Sequence, residues 1–142
     1  MSVTRYNSFK TARCILYRGG HYLLAVHSSF WGVKEPRWGL PGGQIERGET
    51  AHAAVARELH EELSLRDLAL VELGAYAYKQ ADHMVFAAHL PGDIPRYDTT
   101  ELLDVQWFSE QEVVDLRHSG KLHANYELQA IQALRQLLTQ QQ

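Results

Sequence analysis

The sequence predicts an α/β fold: a mixed central sheet held between helices. Three features carry that expectation. Strand-like runs lie on both sides of one long helix-period segment, a second helical stripe lies near the C-terminus, and no repeat or linker divides the 142 residues. A chain of this length buries roughly two thirds of its unfolded surface, so residues 1–142 read as a single domain.

Residues 1–10 are a polar lead-in. Thr11 to Tyr17 is β-prone and carries Cys14, Ile15 and Leu16; Arg18-Gly19-Gly20 turns the chain into His21 to His27, making a hairpin. Ser28 to Arg37 reads as a loop whose two aromatics and two cations, Lys34 and Arg37, could meet a base and phosphates or merely cap the sheet. Trp38 is better suited to core or sheet-edge packing than to stacking on a base. A glycine turn and a helical run follow. Leu68 to Lys79 then suits a long strand, with Ala81-Asp82 as the turn into a strand from His83 to Leu90. Pro91-Gly92-Asp93-Ile94-Pro95 breaks structure, and Leu102 to Phe108 is the last strand. Ser109-Glu110-Gln111-Glu112 is a capping box opening a helix to about Leu116. Asn125 to about Thr139 carries Leu128, Ile131, Leu134, Leu137 and Leu138 at helical spacing.

Composition excludes several classes. Net charge is −3, from 14 basic and 17 acidic side chains, which argues against binding a long nucleic acid. Cys14 is the only cysteine, so no internal disulfide or Cys-based zinc site is expected, and its apolar run makes it a buried structural thiol. Eight histidines show no metalloprotease or zinc-finger spacing. His52 and His60 should face solvent or the sheet margin. No apolar run approaches a membrane span and no signal-peptide core opens the chain, so a cytoplasmic protein is the default expectation.

The informative stretch is residues 42–65. At 100° per residue, Glu58, Glu61 and Glu62 share a helix face about 100° wide, while Val55, Leu59 and Leu63 form a separate apolar stripe. Clustered carboxylates repel one another, and Mg²⁺, which takes oxygen ligands and retains waters and substrate phosphates, would relieve that repulsion. On three carboxylates alone a solvated acidic face is the commoner outcome. The flanks shift the balance. Gly42 and Gly43 allow a backbone path that turns a carbonyl toward the same ion. Glu49 lies about two helical turns before Arg57, where it can hold the guanidinium.

Gly43, Glu49, Arg57, Glu58, Leu59, Glu61, Glu62 and Leu65 resemble the Nudix box, Gly-x5-Glu-x7-Arg-Glu-U-x-Glu-Glu-x-Gly-U, where U is a bulky aliphatic residue. Only the late glycine departs, as Ser64, which implies a strained or rerouted helix exit. Trp38-Gly39-Leu40-Pro41 is a lead-in often seen in that family. The resemblance implies an α/β/α sandwich and hydrolysis of a nucleoside diphosphate linked to another moiety, X, by water attack on phosphorus.

Glu58, Glu61 and Glu62, with the Gly42 carbonyl, would hold Mg²⁺, with Mn²⁺ also suited to an oxygen-rich site. Glu61, Glu58 and Glu101 are candidate bases, and Glu46 is an outer-ligand candidate. Tyr76, Tyr78 and Lys79 are candidates for lining the pocket, though a purely structural role in the sheet fits equally. The absence of the proline signatures of ADP-ribose and NADH enzymes leans toward a nucleoside triphosphate or a nucleotide sugar. Related enzymes often form homodimers, and no stretch here marks such an interface. Two rivals remain: a non-catalytic nucleotide-binding or regulatory module on the same fold, which typically loses box carboxylates, and a metal-free acidic helix in an unrelated protein.

Overall fold

The computed structural model describes residues 9–28 and 36–141. The first strand, β1 (Phe9–Arg18), starts two residues before the expected Thr11. Gly19 and Gly20, both at positive φ, turn it into β2 (His21–His27). A short strand, β3 (Gly42–Gln44), then precedes α1 (Ala51–Leu63). The glycine segment was expected only as a turn. It becomes a strand because β1 offers it a free edge, with Thr11, Ala12 and Arg13 opposite Gln44, Gly43 and Gly42.

After α1 come β4 (Val71–Tyr78), β5 (Ala81–His89), β6 (Leu102–Ser109), α2 (Glu110–His118) and α3 (Tyr126–Gln140). The β4–β5 turn falls on Lys79 and Gln80, not on Ala81-Asp82. Both residues take positive φ (51° and 61°), the backbone of a tight hairpin turn, and the Tyr78↔Ala81 pair closes it. Turn composition alone did not reveal this, because neither residue is Gly or Asn. Leu68 and Leu70, expected at the start of that strand, precede the observed β4 but still pack against the core.

The strand order is β4-β5-β1-β2-β6, with β3 also beside β1. β1 runs parallel to β5 and antiparallel to β2, which makes the sheet mixed. Past Tyr17↔Tyr22, β1 and β2 part, and residues 38–44 enter the gap. There the Cys14 N–H donates to the Pro41 carbonyl (2.9 Å), and Ala25 and Gly39 exchange a pair of 2.8 Å bonds. The parting of two central strands brings residues from both faces of the sheet together.

Alternation along β1 sorts the core with the period of two expected of a strand. Ala12, Cys14 and Leu16 join Met84, Phe86 and the Ala54, Val55, Leu59 and Leu63 stripe of α1. Ile15 joins Leu24, Val85 and Ala87 beneath Val113 of α2 and Ile131 and Leu134 of α3. Each large aliphatic side chain so buried contributes about 2 kcal/mol. The result is the α/β/α sandwich. Cys14 is fully buried, as its apolar surroundings implied, and Trp38 packs edge-on against Phe108 at 5.0 Å. No helix among the described residues is long and apolar enough to cross a membrane.

Candidate active site

Thr50 caps α1, its hydroxyl accepting from the Ala53 N–H at 3.0 Å. At the other end Ser64 takes the left-handed conformation usually given to glycine (φ 59°, ψ 30°), so the strained exit is realised and the helix still closes. The last two turns of α1 carry Glu58 and Glu62 to the gap between β1 and β2. Glu101, on the turn before β6, meets them there. One carboxylate oxygen from each of the three lies within 4.8 Å of the others.

Glu62 is almost fully buried. One oxygen accepts the Gly42 N–H at 3.0 Å and the other faces His27 Nδ1 at 3.4 Å. His27 Nε2 lies 3.1 Å from the Leu40 carbonyl, which can only accept, so the ring proton sits on Nε2 and Nδ1 presents a lone pair. Burial first, and the Arg13 charge second, hold His27 down to about 3. Burial, reinforced by the Glu58 charge, pushes Glu62 far above the carboxylate range. Both shifts favour the uncharged forms, so the two groups do not form an ion pair. Glu58 is raised as well, by burial against the opposing pull of Arg57.

Arg57 organises the exposed side of this face. Its Nε and one terminal nitrogen bind Glu49 in a bidentate pair at 2.7 and 3.0 Å. The other terminal nitrogen bonds Glu58 and Glu61, each at 2.9 Å, and a further bond reaches the Gln44 carbonyl. Glu49 is held at about 2 by the Arg57 hydrogen bonds and the Glu46 N–H. The guanidinium thus ties β3 and the following loop to α1. Glu61 turns toward Arg57, is nearly half exposed, and stands outside the three-carboxylate group. The Glu46 carboxylate lies at the edge of this network, 3.8 Å from Arg57.

Gly42 and Gly43 are required by close approach. At Gly42, with φ 134°, a Cβ would run into the Ala12 carbonyl; at Gly43 it would lie 2.6 Å from Glu58 Oε2. The Gly42 carbonyl, expected to face a cation, already accepts from Arg13 at 3.0 Å and has one lone pair left.

These groups line a cleft of about 410 Å³. Its acidic end holds Glu58, Glu62 and Glu101; the other end is formed by Lys10, Tyr78, Lys79, His83, His123 and Tyr126. Tyr78 and Lys79 line the cleft, while Tyr76 lies behind it, stacked on Tyr126 at 5.5 Å. Arg37 is not in the cleft: its guanidinium donates to the Gly120 carbonyl at 3.0 Å, drawn to the loop before α3. Lys34 lies outside the described residues. His52 and His60 are exposed, as expected.

Sequence reasoning missed Arg13, His27, His83 and His123. Arg13 stood out in one respect, as the lone charge inside an apolar strand run. The histidines gave no signal, because partners such as Leu40 and Thr11 are distant in sequence.

A family model described as the NUDIX domain matches residues 8–129. The chain belongs to the Nudix hydrolase family. Among curated Nudix proteins, it is 31% identical over 77 residues to a Bacillus subtilis protein named "Putative 8-oxo-dGTP diphosphatase", covering 52% of this chain and 51% of that one. It is 44% identical over 52 residues to the nucleoside triphosphatase NudI of an Enterobacter species, covering 37% of each. The chain spans about half or less of the length of these two relatives. Among solved Nudix structures, the NUDIX domain of Shewanella oneidensis NrtR, complexed with ADP ribose, superposes with a TM-score of 0.72 at 21% identity, over 92% of this chain and 88% of that one. That likeness bears on the fold alone.

The Nudix acidic end fits a divalent ion. Three hard oxygen donors converge there; burial first and the neighbouring carboxylates second raise Glu58 and Glu62, and a divalent ion would offset both costs of holding them charged.

Proposed function

We propose that this Nudix protein is a Mg²⁺-dependent pyrophosphohydrolase, with Mn²⁺ able to substitute, that cleaves a nucleoside diphosphate linked to X by water attack on phosphorus. The observation that carries the reading is the convergence of Glu58, Glu62 and Glu101 within 4.8 Å at one end of a cleft whose other end is cationic and aromatic. In this reading Glu58 and Glu62, with the remaining lone pair of the Gly42 carbonyl, would hold the ion, and one oxygen of Glu101 would join them, leaving its other oxygen for a proton. When bound, it neutralises charge on the leaving phosphate and lowers the pKa of the attacking water.

The protein's own groups do the rest. Arg57, fixed by Glu49, holds Glu58 and Glu61 in place and fixes the entry into α1. Glu101, the most exposed of the three, approaches from across the cleft and is the carboxylate best placed to take the proton of the attacking water and release it to solvent. Glu61, drawn to Arg57, supports the platform from outside. Tyr78 and Lys79, with Arg13 on the floor, face X. A cytoplasmic setting belongs to the same reading and is supported by the single, buried thiol.

Nucleoside triphosphates are the favoured substrates, nucleotide sugars the second choice. The names of the two relatives, one for a triphosphatase and one for an 8-oxo-dGTP diphosphatase, support that order. The full set of box carboxylates argues against a non-catalytic module.

The test is a panel of nucleoside triphosphates, nucleotide sugars and dinucleotides, assayed for phosphate or pyrophosphate release with and without Mg²⁺. Thermal midpoints are measured in parallel. Metal-dependent turnover that fails in Glu58→Gln and Glu62→Gln is the expected outcome. A Mg²⁺-stabilised protein that turns over nothing would favour a binding module. One that Mg²⁺ neither activates nor stabilises would return the acidic cluster to a solvated surface.

A further inference from the structure

Two of the three converging carboxylates ride on one helix, so α1 sets their backbone spacing, and Arg57 and the Gly42 N–H hold their side chains. Glu101 has no such support. It sits on an exposed turn between the Pro91–Pro95 break and β6, and something must hold it across the cleft.

Asp98 has the contacts to do so. Its backbone N–H donates to the carbonyl of Glu62 at 2.9 Å, joining the turn to the helix at the very residue Glu101 faces. Its carbonyl accepts the N–H groups of Glu101 (3.1 Å) and Leu102 (2.8 Å). Its side chain closes the turn from within, Oδ1 accepting the Thr100 N–H at 2.9 Å and the Thr100 hydroxyl at 2.6 Å. On the far side the Ser28 N–H donates to the Glu101 carbonyl at 2.8 Å. Leu102, immediately after, is fully buried and anchors the exit.

We infer that Asp98 is a positioning residue: its side chain shapes the 98–101 turn that delivers the Glu101 carboxylate to Glu58 and Glu62. The inference rests on the metal-platform reading above but not on turnover. Without the Asp98 carboxylate, Thr100 loses its acceptor and the turn can relax. The backbone bond to Glu62 then no longer fixes where Glu101 points.

The experiment measures Mn²⁺ binding to the nucleotide-free protein by electron paramagnetic resonance. Asp98→Ala, Glu101→Gln, the double variant and Asp98→Asn are compared with wild type, and circular dichroism checks each fold. Asp98→Ala and Glu101→Gln each weaken binding about tenfold, the effect of a residue that orients a ligand. The double variant binds no more weakly than Glu101→Gln alone, because Asp98 acts through Glu101. Asp98→Asn, which keeps the accepting oxygen, stays within about twofold of wild type.

Losses that multiply in the double variant, or Asp98→Ala binding like wild type, overturn the inference. Should Asp98→Ala fail to fold, Thr100→Ala replaces it in the same cycle. Coupled Mn²⁺ binding without turnover of any nucleotide would sink the enzymatic reading and leave the positioning role standing. A wild type that binds no Mn²⁺ overturns both.

Discussion

Glu62 near the end of α1 and Glu127 at the start of α3 are each 1% exposed, and each accepts a backbone N–H from a neighbouring segment, Gly42 at 3.0 Å and Ala124 at 2.9 Å. Burial raises both, and Glu127 is pushed up to about 7. Yet Glu62 opens onto a cleft with Glu58 and Glu101 beside it, whereas Glu127 belongs to no such group and leaves Oε1 without a hydrogen-bond partner among the described residues. A buried, perturbed carboxylate is therefore not enough to mark a site. What separates the two is the company of other oxygen donors and an opening onto the cleft.

Substitutions should pull the pair apart, and the largest effect belongs to Glu62. Glu62→Gln should lower kcat by about 10²–10³-fold, roughly 3–4 kcal/mol of transition-state stabilisation, with little loss of stability. Steady-state kinetics with the best nucleotide checks this, and a matched fall in Glu127→Gln would erase the distinction.

Gly42→Ala comes next. The new methyl collides with the Ala12 carbonyl at a positive φ, so a loss of about 2–4 kcal/mol is expected in urea titration, together with the Glu62 contact.

Glu127 should add its own share to the pH dependence of stability, separable by comparison with Glu127→Gln. Its raised folded pKa means the protonated form is preferred in the fold, so its contribution is full below about 4.5 and is lost as pH rises through about 7. Wild type minus Glu127→Gln should shift by up to about 3 kcal/mol against the wild type between pH 5 and pH 8. A constant difference across that range would remove Glu127 from the account.

The smallest effect expected is that of Arg57→Ala, which should lower the thermal midpoint and cut kcat about tenfold by freeing Glu49, Glu58 and Glu61 together. If neither quantity moved, the guanidinium would be reduced to surface decoration.

Legibility in the sequence followed how local each determinant is. The Gly19-Gly20 hairpin, the Ser109 capping box with its reciprocal Glu112 bond, and the α3 stripe are written within a few residues and could be read directly. So could Glu49 and Arg57, two turns apart. The strand at Gly42–Gln44 depends on an edge that β1 exposes thirty residues earlier, and its glycines read as a turn until that partner is known. Asp98 was unreadable for the same reason, since its role depends on the Glu62 carbonyl. Arg37 had the right chemistry and the wrong neighbour, Gly120.

The parting of β1 from β2 has a consequence for how this molecule can vary. One strand lends its edges to three others and carries Arg13 to the floor of the cleft, against the Gly42 carbonyl. Inserting or deleting a single residue in it would swap Arg13 with Cys14, sending a guanidinium into the packing under α1 and a thiol to the cleft floor. This length of backbone must therefore keep its count.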